Sequence, residues 1–375
     1  MKKVLYVATV LSHICQFHLP YLQMFKEQGY EVHVAARDNL AEKNGLKLQY
    51  ADRHFEIPFR RSPFSPKNIA AYKKLKKLID KERYDLIICN TPVGGIVTRM
   101  AAKKARKNGT KVVYIAHGFH FYKGAPKKNW LVYYPIEKHF AKYCDTVVTI
   151  VNEDYLFARQ HLKTNIVHIH GIGVSSDRYH SVETSARMDM RARENIQEED
   201  FVILCTGELN KNKDQKTLLQ AAENLKDKIG SLKILLAGNG PLRAELEKQV
   251  SVAGLENIVR FLGYRTDLEN IVPAVDLVVS CSHREGLPLN IIEALLCKKI
   301  VVASINRGHK ELIQDGGNGY LFRSGDWDTL SKRILEIYQA DKQQLRAMEE
   351  KGYELAQKYT IVAVEKELKG TLSLY

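Results

Sequence analysis

Long apolar runs are absent from this 375-residue chain: no segment approaches the roughly 18 uninterrupted apolar residues that a membrane-spanning helix needs. The opening MKKVLYVATVL sets two lysines before an apolar run, as a signal peptide would. The run is short and continues into SHICQFHLPYL without a small-residue cleavage pattern, so it reads as a first strand. Cysteine is sparse. The six thiols, at 15, 89, 144, 205, 281 and 297, show no C-x-x-C spacing, and three of them, 89, 205 and 281, lie in or just after apolar strands. That pattern argues against a disulfide framework or cysteine metal site and for buried free thiols in a reducing compartment. The fingerprint G-x-G-x-x-G is missing after the first strand, which argues against a dehydrogenase. No repeat of 20 to 50 residues stands out.

Positive charge, by contrast, is plentiful. The net charge of +14 is concentrated in the first half, in RRSPFSPKNIAAYKKLKKLIDKER (60–83) and in the run 103–111. No recognised nucleic-acid-binding motif accompanies it, so nucleic acid is not an expected partner. Residues 122–143 add Lys123, Lys127, Lys128, Trp130, Tyr133 and Tyr134, a basic and aromatic mixture suited to a headgroup zone. The simpler reading of 60–83 is an amphipathic helix with Leu75, Leu78 and Ile79 inward and lysines in water.

The length is generous for one hydrophobic core and comfortable for two. Apolar strands followed by loops and helices recur: 3–8, 31–35, 86–89, 112–116 and 146–150 in the first half, then 202–205, 232–236, 260–263 and 299–303. That order predicts parallel, doubly wound sheets and two Rossmann-like halves. Residues 1–176 and 177–355 are the expected domains, joined near Gly171–Ser176.

The segment AVDLVVSCSHREGLPLNIIE (274–293) carries the most chemistry. A buried parallel strand would open at its carboxyl end onto a polar loop, and the following helix would point free amides at that loop, a fit for phosphate. A carboxylate beside an anion needs a hydroxyl-bearing partner, so Glu285 and Glu293 suggest phosphate joined to sugar.

GELNKNKDQ (207–215), AGNGP (237–241), LGYRTD (262–267), HREGLPLNIIEAL (283–295) and GNGYLF (317–322) together resemble the retaining GT-B glycosyltransferases of the GT4-like group, over essentially the whole chain. FHLPYL (17–22), HGFHFYKG (117–124) and GIGV (171–174) are more narrowly similar to a bacterial subgroup that extends sugar chains on polyprenyl diphosphates, or in capsule and exopolysaccharide. The resemblance implies an α/β GT-B fold, two Rossmann-like domains facing across a cleft, the first for acceptor and the second for nucleotide sugar, with 356–375 as a helix crossing back to pack on the first domain. It also implies transfer of a hexosyl or N-acetylhexosaminyl unit, from a UDP-linked donor, to a lipid-linked saccharide with anomeric configuration kept.

The same resemblance assigns roles. Glu285 would grip the transferred sugar, Lys213 would neutralise the leaving diphosphate, and His117 would reach the donor sugar and phosphate; these are the catalytic candidates. Glu293 would accept the ribose hydroxyls, while Gly286, Leu287, Leu289 and Asn290 would offer backbone amides. Gly263, Tyr264 and Arg265 would read the base, and Gly207, Gly238 and Gly240 would shape the adjoining loops. Glu208 stands where relatives usually carry arginine, which puts a two-cation clamp in doubt. His13, Gln16 and His18 replace a usual Gly-Gly and become acceptor-loop candidates; an early helix with a core-facing Phe17 is the alternative. No metal or cofactor is expected, since such transfer uses the leaving phosphate as base. The expected location is cytoplasmic, peripheral on the anionic inner leaflet. A GT-B nucleotide-sugar epimerase and a non-catalytic carbohydrate or lipid-surface binder are the competing classes.

Overall fold

The computed structural model describes residues 1–42 and 45–373; residues 374 and 375 of the C-terminal segment lie outside the described residues. The chain divides into two compact units. The first comprises Met1–Gly173 with Ile361–Tyr375, the second Val174–Thr360.

In the first unit seven parallel strands form one sheet: β1 (Lys3–Val10), β2 (Glu31–Arg37), β3 (Arg53–Glu56), β4 (Leu86–Asn90), β5 (Lys111–Ala116), β6 (Thr146–Thr149) and β7 (Asn165–His168). Their order is β3-β2-β1-β4-β5-β6-β7, with Val4 opposite Val32 on one side and Leu86 on the other. Helices cover both faces of the central strands, so these must be apolar throughout: all five residues of β4 are buried. Helix Asn68–Glu82 closes one face with Leu75, Leu78 and Ile79, as its periodicity predicts.

The second unit holds six parallel strands: β8 (Phe201–Thr206), β9 (Leu232–Ala237), β10 (Val259–Gly263), β11 (Leu277–Ser280), β12 (Ile300–Ser304) and β13 (Tyr320–Phe322). Their order is β10-β9-β8-β11-β12-β13. Helix Leu289–Leu296 buries Ile291, Ile292, Leu295 and Leu296, each contributing about 1.5–3 kcal/mol. That anchoring fixes the direction of Asn290 and Glu293, three residues apart and so on one side of the helix.

Several expectations need adjustment. The division falls at Gly173/Val174 and Thr360/Ile361, against the expected 176/177 and 355/356. Val174 N–H donates to Tyr359 O at 2.9 Å, which ties both residues to the second unit. The last helix, Ile361–Leu372, belongs to the first unit, where Glu367 accepts from the His170 backbone at 2.8 Å and meets His170 Nδ1 at 2.6 Å. Trp130 and Tyr134 are largely consumed internally: they pack with Phe121 and Phe157 in an aromatic cluster, and Trp130 Nε1 donates to Tyr122 O. All six cysteines are free and buried. Among the described residues no helix is long and apolar enough to cross a membrane.

Candidate functional site

In the second unit β8 and β11 are neighbours although their first members, Phe201 and Leu277, lie 76 positions apart, so the chain reverses its direction of sheet growth between them. Crevices outside the carboxyl ends of strands at such a switch point are where open α/β sheets take ligands. Lys213 follows β8 and Glu285 follows β11. Lys213 Nζ donates to Glu285 Oε1 at 2.6 Å, with both side chains mostly shielded. Asn210 Oδ1 accepts from the Lys213 backbone at 2.9 Å, and Asn212 Nδ2 donates to Arg284 O at 3.1 Å. The two loops are thereby fixed to each other.

Beside them the loops after β8, β9 and β10 stack through backbone bonds: Gly207 N donates to Ala237 O, and Gly238 N to Gly263 O. Gly238 has no alternative here. A Cβ on it would lie 1.9 Å from Gly207 O, and its φ is +153°. Tyr264 is 72% exposed, free to stack on a planar ligand. The Arg265 guanidinium is instead held by Glu194 and Asp267, both at 2.7 Å. Of this loop's two large side chains, only Tyr264 is thus left unpaired by a carboxylate. Glu208 turns its carboxylate back into its own loop, where Asn210 Nδ2 donates to it at 2.8 Å. Lys211 and Arg284 are exposed.

Helix Leu289–Leu296 is preceded by Pro288 with no side-chain cap; Ile291 N–H donates to Pro288 O at 3.2 Å. Asn290 Nδ2 is buried with no partner among the described residues, an unmet donor on the same helix face as Glu293. Leu287 and Leu289 pack against the core of the unit, so their side chains serve structure. Burial pushes the Glu293 carboxyl up to about 7, with the Arg178 charge and a Tyr179 hydrogen bond opposing. Arg178 and Tyr179 precede the second sheet without any motif that would have singled them out. Gly308 is another contributor no pattern marked: a Cβ there would meet Gly286 O at 2.4 Å and Glu285 Cβ at 2.9 Å. The D-x-D triplet Asp326–Trp327–Asp328 holds helix structure, Asp326 accepting from Thr329 N and Asp328 pairing with Lys332.

The raised Glu293 pKa makes a prediction. An unfolded glutamate titrates near 4.5, so between that pH and about 7 the folded chain holds a proton the unfolded chain has lost. Stability therefore falls as pH rises through this window and levels above it. Glu293→Gln should unfold at higher urea than the parent at pH 8, by up to about 3 kcal/mol, and match it at pH 4. An equal gap at both pH values would contradict this.

In the first unit His13 lies in the helix Leu11–Phe17, His18 at its end, and His117 just after β5. The segment is helical, as in the early-helix alternative, but Leu11, Ile14 and Cys15 face the core, whereas Phe17 is half-buried and meets the edge of His13. Gln16 stands exposed on this helix. His13 Nε2 is 3.4 Å from both His117 Nε2 and His18 Nε2, and Asn90 Oδ1 is 3.1 Å from His117 Nε2. Burial lowers the His13 pKa to about 4, and burial with neighbouring rings lowers His18 and His117 well below the ordinary range.

Two family models match. Glycosyl transferases group 1 covers residues 186–355, and glycosyl transferase 4-like covers residues 3–151. The chain is 42% identical to EpsD of Bacillus subtilis (strain 168), named as a glycosyltransferase, over all of this chain and 97% of that protein. It is 25% identical to the Escherichia coli UDP-Gal:alpha-D-GlcNAc-diphosphoundecaprenol alpha-1,3-galactosyltransferase, over 88% of this chain and 85% of the relative. The structure of Anabaena HepE in complex with UDP and glucose superposes with a TM-score of 0.78 at 22% identity, covering both chains fully. The fold is therefore GT-B.

Proposed function

The chain belongs to the glycosyltransferases of group 1, with a GT4-like first half, and on that premise we propose that it transfers a hexosyl or N-acetylhexosaminyl unit from a UDP-sugar to a saccharide on a polyprenyl diphosphate, with retention, in surface-glycan assembly. The observation that carries this reading is the Lys213–Glu285 contact of 2.6 Å at the switch point of the second sheet. A cation for a departing diphosphate and an acceptor for sugar hydroxyls stand side by side there.

The second unit is the donor half. Glu293 takes the ribose hydroxyls, the uncapped start of helix Leu289–Leu296 takes phosphate, and Asn290 supplies a further donor. Tyr264 covers the base. The UDP and glucose held by HepE support this donor class, and the diphosphoundecaprenol acceptor in the name of the Escherichia coli relative supports the acceptor class. The first unit is the acceptor half, with His13, Gln16 and His18 as its candidates; His117 is a candidate contact for the donor sugar.

The acceptor hydroxyl attacks the anomeric carbon while the bond to the nucleoside diphosphate breaks, and the leaving phosphate takes the proton. Lys213 and the helix amides meet the charge that grows on the diphosphate; Glu285 orients the sugar. No metal enters these steps. The enzyme works at the cytoplasmic face of the membrane, held peripherally. Its lysine-rich helix Asn68–Glu82 and the neighbouring Phe64 and Ile69, exposed by 71% and 59%, suit an anionic headgroup layer.

A donor screen tests the reading. UDP release from UDP-sugars, with GDP-sugars as the comparison and a short polyprenyl-diphosphate sugar as acceptor, should appear only with acceptor present and only for UDP donors. Acceptor-independent conversion to an epimeric nucleotide sugar would replace the transferase with an epimerase.

A further inference from the structure

The first unit brings together three imidazoles from two separate stretches of chain at the carboxyl ends of two strands that flank β4. His13 and His18 follow β1, His117 follows β5, and Asn90 ends β4 between those strands. β1 and β4 flank the switch point of this sheet, and the three histidines crown it. All three present a ring nitrogen to a common centre, within 4.8 Å of one another. The rings are mutually inclined, at 82° for His13 with His117, 87° for His18 with His117 and 53° for His13 with His18, so none stacks on another.

Hydrogen bonding cannot use all of these approaches. One imidazole nitrogen carries either a single proton or a single lone pair. If His117 Nε2 donates to Asn90 Oδ1, and His13 pairs with His18, the 3.4 Å approach of His13 Nε2 to His117 Nε2 has nothing left to hold it. A cation among the three would accept one lone pair from each. Tetrahedral zinc with Zn–N bonds of about 2.0–2.1 Å sets its ligand nitrogens about 3.3–3.4 Å apart. The two nitrogen separations at His13 are both 3.4 Å, and the pair His18 and His117 lies within 4.8 Å.

We propose that His13, His18 and His117 form a three-histidine site for a zinc ion in the first unit. Imidazole is a preferred zinc ligand, and three protein ligands leave a fourth position for water or another small oxygen donor. Asn90 Oδ1, beside His117, borders the centre. The ion takes no step in the transfer chemistry above; while it is bound, the ring nitrogens of His13, His18 and His117 that hold it are not open to acceptor or donor sugar.

The test uses the full chain without a histidine tag, stripped with chelator and titrated with zinc against a chromophoric indicator. One equivalent should bind. His13→Gln, at a partly exposed position, should weaken binding by more than about tenfold, since even removal of groups outside the coordination sphere costs about 10- to 100-fold. Circular dichroism verifies that the variant is folded, and His117→Gln repeats the test from the other strand. Cobalt substituted for zinc should give intense visible bands of tetrahedral nitrogen coordination without the near-ultraviolet thiolate band. Absence of one-to-one uptake, uptake unaltered in both folded variants, or a thiolate band pointing to the cysteines would each overturn the proposal. Because no donor or acceptor is present, failure here leaves the transferase reading standing, and failure of the donor screen leaves the zinc site standing.

Discussion

Replacing Lys213 with alanine should lower the turnover number about 100- to 1000-fold, about 2.7–4 kcal/mol, with a much smaller change in donor KM. The negative charge that this ammonium meets is greatest as the diphosphate departs, so its loss is felt in the transition state more than in the bound ground state. The structure adds a second cost. Lys213 Nζ is 2.6 Å from Glu285 Oε1, and the Glu285 side chain is only 16% exposed. Alanine would leave a shielded carboxylate without its cation, beside an incoming diphosphate of the same sign. The double variant Lys213→Ala/Glu285→Gln separates the two costs. If Glu285 repulsion contributes, the double variant binds UDP more tightly than Lys213→Ala alone. A rise in KM at unchanged kcat would reduce Lys213 to ground-state binding.

The two glutamates should fail in different ways. At pH 8, where Glu293 is ionised, Glu293→Gln should weaken UDP binding by about 1.5–3 kcal/mol, roughly 10- to 150-fold, the range for hydrogen bonds to a charged group. Glu285→Gln should leave UDP affinity within about twofold and lose its hydrogen bonds to the sugar, worth about 1.5–3 kcal/mol, in turnover. It should also discriminate less between donors that differ at one sugar hydroxyl. Calorimetric titration of UDP into both variants decides the matter. Equal losses would erase the division of labour; no loss in either would move the nucleotide elsewhere.

Much of this architecture is readable in the residues because a central parallel strand is buried on both faces and so must be continuously apolar, as LIICN and FVILCT are. Edge strands escape that rule. β3 is RHFE, β7 is NIVH and β13 is YLF, three or four residues each, and their pairing comes from the neighbour they lie against. The same distinction runs through the site. Glycine loops and the 283–295 segment are local patterns, so Lys213 and Glu285 could be picked out, and their contact across 72 residues follows from β8 lying beside β11. Arg178 and Tyr179 around Glu293, and the meeting of His13 with His117, have no such local pattern. They arise from sheet order alone. Arg265 illustrates the reverse case, a motif residue whose charge Glu194 and Asp267 already absorb.

The bond between His170 and Glu367 also bears on the order in which the protein can be completed. The second unit is one unbroken stretch, ending at Thr360, whereas the first is interrupted by it and regains its last helix only from Ile361 onward. During synthesis from the N-terminus, every residue of the second unit emerges before the final helix of the first. Until that helix appears, the helix Leu19–Glu27, against which it packs, lacks its cover. The half of the sequence translated first is thus the last to have all its parts.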